Sequence, residues 1–99
     1  MNFQGQSVLV TGGARGIGRT IAERFHKHGA NVALADIAAD AAKAAAAEMS
    51  ARGPKCAGFG CDVTKSADVD ATIDAVVKEL GKLDVLVNNA GITMNRPFG

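Results

Sequence analysis

Eight residues, Thr11-Gly12-Gly13-Ala14-Arg15-Gly16-Ile17-Gly18, follow the apolar run Val8 to Val10 and open an amphipathic stretch. The chain is therefore predicted to leave a buried strand through a tight turn straight into a helix. Backbone N–H groups in the first turn of a helix have no intrahelical partner and carry the positive end of the dipole. Glycines let an anion approach them closely, so a phosphate would sit here.

The pattern beyond this turn repeats the same unit. Four short strand candidates alternate with three helical patterns, which predicts consecutive βαβ units and a parallel sheet. The first strand is Ser7 to Thr11, and its helix runs from about Ile17 to His28 with Ile17, Ile21, Ala22 and Phe25 on one face. Gly29 stands where a left-handed residue ends helices, and His26, Lys27 and His28 complement the C-terminal dipole. Strand two is Asn31 to Ala35. Eight of the ten residues from Ala38 to Ala47 are alanine, which predicts a close-packed helix ending before Gly53-Pro54 rather than a linker. Strand three spans about Lys55 to Gly60. Ser66 is the expected N-cap of a helix from Ala67 to Leu80, with Val69, Ile73, Val76, Val77 and Leu80 on its apolar face and Gly81 at its end. Val85 to Val87 reads as a parallel strand covered on both faces, delivering Asn88-Asn89-Ala90-Gly91 to its carboxyl end.

Right-handed crossovers place the first two helices on one face of the sheet and the third on the other, with strand order 3-2-1-4. Strands one and four then flank the switch point outside which ligands bind in open α/β sheets. The fold class is a truncated Rossmann-type α/β sheet, and residues 1–99 are expected to form a single partial dinucleotide-binding domain.

Composition narrows the function classes. Ninety-nine residues, 47% hydrophobic and 21% charged, suit one small globular core, and a formal net charge of +1 with no run of basic residues longer than a pair gives no nucleic-acid surface. No apolar segment approaches a membrane span and the first residues lack a signal-peptide pattern, so a cytoplasmic chain without membrane partners is expected. Cys56 and Cys61 are five apart and would point to opposite faces of an extended strand. They are read as buried small hydrophobes rather than as a disulfide or a metal site.

Three readings compete for the glycine turn. Gly13 to Thr20 can be written Gly-x-x-x-x-Gly-Arg-Thr, a P-loop pattern with arginine in place of lysine. A planar guanidinium does not simply replace a compact ammonium, and no later strand ends in a convincing magnesium-binding carboxylate. A plain connecting turn is the second reading, but four glycines within seven residues cost more chain entropy than such a turn needs. The third is a dinucleotide site. Asp36 lies at the end of strand two, 18 residues after Gly18, where a carboxylate can accept hydrogen bonds from both hydroxyls of an adenosine ribose; alone, it could equally cap a helix.

The spacing Thr-Gly-x-x-x-Gly-x-Gly at Thr11, Gly12, Gly16 and Gly18, with Asp36, Asp62-Val63 and Asn88-Asn89-Ala90-Gly91 in order, resembles the amino-terminal part of the short-chain dehydrogenase/reductase family. The opening Met-Asn-Phe-x-Gly with Asn-Asn-Ala-Gly-Ile-Thr is similar to bacterial 3-oxoacyl carrier-protein reductases. The resemblance implies a nicotinamide dinucleotide held by Gly12, Arg15, Gly16, Ile17, Gly18, Asp36, Ile37, Asp62, Val63, Asn89, Ala90 and Gly91. Within that set, Asp62 and the Val63 amide would hold adenine, although a turn aspartate is the local alternative. Asn89, Ala90 and Gly91 would approach the ribose and nicotinamide. Asp36 would repel the 2′-phosphate of NADP and Ile37 offers no compensating charge, whereas Arg15 argues the other way; NAD is the expected cofactor, with NADP second.

The family's reaction is hydride exchange between nicotinamide and an alcohol or ketone, with proton transfer by a tyrosine beside a lysine and carbonyl polarisation by a serine. The chain contains no tyrosine and runs only eight residues past Gly91. A cofactor-binding half of an NAD(P)-dependent oxidoreductase, inactive alone, is therefore expected. The alternatives are a non-catalytic NAD or adenine-nucleotide-binding module, and an interaction fragment that forms a homo-oligomer or associates through its exposed fourth strand.

Overall fold

The computed structural model describes residues 2–89. The elements run β1 (Ser7–Thr11), α1 (Gly16–Lys27), β2 (Asn31–Asp36), α2 (Ala39–Ser50), β3 (Cys56–Gly60), α3 (Ser66–Leu80) and β4 (Val85–Asn88). The four strands form one sheet in the order β3-β2-β1-β4, and every neighbouring pair is parallel. This is the α/β sheet order that right-handed crossovers predict. Register aligns Thr11 with Ala35 and with Asn88, and Asp36 with Gly60. The carboxyl ends of all four strands therefore meet on one rim.

Two apolar layers flank the sheet. One gathers Val8, Val10, Val32 and Leu34 with Ala22 and Phe25 of α1 and Ala42, Ala45, Ala46 and Met49 of α2. The other gathers Leu9, Ala33, Ala35 and Leu86 with Val69, Ile73, Val76 and Leu80 of α3. Successive core residues of β1 and β2 alternate between the two layers, and every residue of β1 is buried, as a central parallel strand requires. The alanine run is explained by its neighbour. A Cβ added at Gly58 would lie 2.5 Å from Ala42 C and one at Gly60 2.8 Å from Ala39 Cβ, so small residues on both sides let α2 lie close against β3. Cys56 and Cys61 are free and buried, and they belong to opposite layers. Burial pushes the Cys56 thiol up to about 12.

Several local expectations shift. Ile17 is 73% exposed, because the buried stripe of α1 follows Gly18, Ala22 and His26, one step of four residues apart. His26 turns inward, where its Nε2 lies 2.6 Å from the Pro54 carbonyl. In α3, Val77 is 41% exposed while Thr72 is buried with Val76, since the stripe through residues 69, 73, 76 and 80 has no room for both 76 and 77. Ser66 is the first helical residue, preceded by Lys65 as N-cap without a side-chain cap bond. The turn into α3 is closed from Asp62 instead, whose carbonyl accepts the Lys65 N–H at 3.0 Å. β4 is half-buried throughout rather than covered on both faces. It is the last strand of the described sheet, and α3 packs over β2 and β3. Among the described residues, no helix is long and apolar enough to cross a membrane.

Candidate functional site

The loop after β1 is built to hug β2. The N–H groups of Gly12 and Gly13 both donate to the Ala35 carbonyl, at 2.7 and 3.3 Å, and the Ala14 N–H donates to Asp36 Oδ2 at 3.3 Å. Gly12 and Gly16 both adopt φ of +64°, a left-handed conformation that favours glycine. Gly13 is required for a different reason: a Cβ there would lie 2.9 Å from the Val10 carbonyl oxygen and 3.0 Å from Leu34 Cδ2. Gly18 is buried beneath the turn, where a Cβ would run into the Gly12 carbonyl oxygen and come within 2.7 Å of Asn89 Nδ2. The glycines thus bring the turn, the start of α1 and the end of β4 into contact.

α1 opens at Gly16 with no side-chain cap bond and no acidic residue in its first turn, whereas α2 and α3 carry Asp40 and Asp68 there. Its first N–H groups are left for an anion, to which the dipole adds attraction.

Thr11 joins the two strands that flank the switch point. Its hydroxyl donates to Asn88 Oδ1 at 2.9 Å, with the Val87 carbonyl at 3.3 Å, and accepts the Asn89 N–H at 2.9 Å. One buried hydroxyl therefore sets the end of β4 against the glycine turn.

A cleft of about 390 Å³ opens on this rim, lined by Gly12, Arg15, Asp36, Ile37, Cys61, Asp62, Val63, Thr64 and Asn89. Seven of the residues expected from the sequence are brought together. Gly16 and Ile17 lie on the exposed first turn of α1 and Gly18 below it, while Ala90 and Gly91 lie outside the described residues. Cys61 and Thr64 are cleft residues outside the candidate set read from the sequence. Thr64, two residues after Asp62, carries the signal of a side chain-to-backbone turn.

Both aspartates are held as acceptors. Asp36 takes the Ala14 N–H on Oδ2 and the Ala38 N–H on Oδ1 at 3.0 Å, so it closes the glycine turn and also leads the chain into α2. Asp62 Oδ1 accepts the Thr64 N–H at 3.0 Å and the Thr64 hydroxyl at 2.6 Å. These bonds, the hydroxyl's first, hold the Asp62 carboxyl below the ordinary carboxylate range. Ile37 is 74% exposed at the cleft wall, an apolar surface in a lining that also includes Val63. Among the described residues, no group of three or more His, Cys, Asp or Glu side chains is arranged to hold a metal ion.

Comparison with known proteins agrees with this architecture. The family model for short chain dehydrogenases matches residues 6–99. The chain is 44% identical to a sorbitol dehydrogenase of Cereibacter sphaeroides over 93% of its own length and 35% of that protein. It is 43% identical to a D-threitol dehydrogenase of Mycolicibacterium smegmatis over 96% of its length and 36% of that protein. Its fold superposes on a hydroxysteroid dehydrogenase from Escherichia coli with a TM-score of 0.86 and 39% identity, covering 91% of this chain and 38% of the other. The chain thus spans about a third of the length of the curated relatives it matches. These likenesses do not single out the 3-oxoacyl carrier-protein reductases within the group. From the sheet order, the glycine turn and the extent of the match, the chain belongs to the short chain dehydrogenase family.

Proposed function

We propose that residues 1–99 are a single partial dinucleotide-binding domain, the cofactor-binding part of an oxidoreductase, and that the rim cleft holds NAD in preference to NADP. The observation that carries this reading is the convergence of Gly12, Asp36, Asp62, Val63 and Asn89 on one cleft at the carboxyl ends of the strands. That is where open α/β sheets bind ligands. The fit to a dinucleotide rests on three features of this chain. The glycine turn leaves no room for a Cβ at Gly18, the first turn of α1 carries no acid, and Ile37 offers an exposed apolar wall. Asp36, already fixed by two backbone N–H groups, retains lone pairs for the ribose hydroxyls. A 2′-phosphate placed against it would meet like charge. Arg15 lines the same cleft but cannot remove that carboxylate.

When bound, the nicotinamide would supply hydride chemistry between an alcohol and a ketone. The chain's own residues bind and orient; with no tyrosine among them, the proton donor that the family resemblance implies is absent from these residues. The chain by itself is expected to bind the dinucleotide without turnover.

Calorimetric titration with NAD⁺ and NADP⁺ tests the reading. NAD⁺ should bind more tightly, and Asp36→Ala should narrow the preference through lost ribose hydrogen bonds and lost repulsion. Tighter binding of NADP⁺ by the unaltered chain would assign control of the site to Arg15 and overturn the NAD preference.

A further inference from the structure

β3 is an edge of the described sheet, and its backbone is committed on one side. The Val32 N–H donates to the Lys55 carbonyl and the Cys61 N–H to the Asp36 carbonyl, both at 2.9 Å, so the odd-numbered residues from 55 to 61 face β2. Alternation along a parallel ladder then turns the N–H and C=O groups of Cys56, Gly58 and Gly60 away from the sheet. Side chains close the two ends of this open side. Ser50 Oγ accepts the Cys56 N–H at 3.3 Å, and Asp68 Oδ2 accepts the Asp62 N–H at 3.2 Å. Between them, the N–H and C=O groups of Gly58 and Gly60 have no partner among the described residues. The two glycines lie in a groove of about 310 Å³, with Lys43 of α2 on one wall and Asp68, Ala71, Thr72 and Ala75 of α3 on the other.

We infer that this groove is a docking site for an extended peptide segment carrying an acidic residue, which adds to β3 as a further, antiparallel strand. An antiparallel neighbour exchanges both backbone bonds with alternate residues, and Gly58 and Gly60 supply four such groups. Side-chain directions set the sequence it takes. A Cβ at Gly58 would point at Ala42 and the Lys43 nitrogen, and one at Gly60 at Ala39, so both positions face α2, whereas Phe59 packs in the layer of α3. Residues opposite one another share a face of the sheet, and the ligand residue opposite Gly58 therefore extends towards Lys43. Lys43 is exposed and has no ion-pair partner among the described residues, which selects a carboxylate there. The ligand residue opposite Phe59 meets Ala71 and Ala75, whose small side chains leave room for a branched apolar one, while Asp68 repels an acid on that side.

The probe is the peptide acetyl-Thr-Val-Glu-Val-Thr-amide, titrated at low salt into isotope-labelled chain while backbone amide resonances are followed. Saturable shifts should centre on Gly58 and Gly60, with half-saturation below about 5 mM. The same peptide N-methylated at its glutamate lacks the N–H that meets the Gly58 carbonyl and should not bind. Lys43→Glu should melt with the unaltered chain, weaken the glutamate peptide about three- to ten-fold, and bind a lysine-centred peptide better than the unaltered chain does. The proposal is overturned by the absence of saturable shifts at Gly58 and Gly60, by equal binding of the N-methylated peptide, or by a Lys43→Glu variant that binds both peptides as the unaltered chain does. Shifts at the two glycines that follow protein concentration without peptide would assign the edge to a second copy of the chain, and would overturn it as well.

Discussion

Adding one methyl group at Gly18 strikes the point where three elements meet. In the native packing a Cβ at this position would clash with the Gly12 carbonyl oxygen and stand 2.7 Å from both Gly12 C and Asn89 Nδ2. Each contact is closer than a real Cβ tolerates, and two of the three atoms are backbone, which cannot rotate aside as a side chain can. Gly18→Ala must therefore push the glycine turn away from α1 or displace the end of β4. Overpacking of this kind costs about 1–3 kcal/mol, and a chain of this size has roughly 5–15 kcal/mol in total. At roughly 4–8 °C per kcal/mol for a small domain, the melting temperature should fall by about 5–20 °C. Affinity for NAD⁺ should fall beyond what the stability loss explains, because the displaced groups are Gly12 and Asn89 of the cleft. Gly5→Ala is the control. Gly5 has φ of +80° and no atom within 4 Å of its added Cβ, so alanine there should lower stability by about 1–2 kcal/mol through backbone strain alone and leave affinity unchanged. Circular-dichroism melts and NAD⁺ calorimetry on the three proteins decide the matter. A Gly18→Ala variant with unaltered melting temperature and affinity would refute the packing argument, and one that behaves like Gly5→Ala would confine it to stability.

Two further outcomes follow from hydrogen bonds at opposite ends of β1. Thr11→Val removes the hydroxyl that takes the Asn89 N–H and engages Asn88; it should cost about 1–3 kcal/mol, the price of leaving a buried donor unpaired, and weaken NAD⁺ binding, as melts and calorimetry would record. At the other end, the Ser7 N–H at 2.8 Å, with Lys82 beside it, holds the Asp84 carboxyl below the ordinary range. A carboxyl lowered in the folded state contributes stability that is present above its unfolded value, about 3.9, and is lost as pH falls through the folded value. Denaturant melts from pH 6 to pH 2 should therefore show an acid-side decline that Asp84→Asn reduces; an unaltered profile in the variant would remove Asp84 from the account.

The parts of this site that were legible in the sequence are those written in local spacing. The glycine turn, Asp36 after the second strand and Asn89 after the fourth sit at fixed offsets from apolar runs, and parallel topology alone carries them to one rim. Sheet order followed for the same reason, since crossovers of one hand leave little choice. What stayed hidden depends on neighbours distant in sequence. The indispensability of Gly13 comes from Leu34 and the Val10 carbonyl beneath it, and nothing in the octapeptide states that. Ile17 sits at helical spacing from Ile21 and was expected in the core, yet the close approach of Gly18 to the turn rotates the buried stripe away from it. The same phase error moved Val77 to the surface and Thr72 inside. Ser66 had the chemistry of a cap, but the Asp62 turn had already closed the start of α3. That turn also fixes Thr64 on the cleft wall; its place after the third strand was legible, its two hydrogen bonds to Asp62 were not.

The central claim, that the rim cleft is the dinucleotide site, is tested most directly by titrating NAD⁺ into isotope-labelled chain and following backbone amide resonances. The largest shifts should fall on Gly12, Ala14, Gly16, Ile17, Ile37, Val63 and Asn89, which belong to the cleft, the glycine turn and the first turn of α1. A separate hollow at the opposite end of the sheet, lined by Glu23, His26, Lys27, Arg52 and Pro54, should stay silent. Saturable shifts centred on that hollow, or no saturable shifts at all in a folded chain, would contradict the assignment.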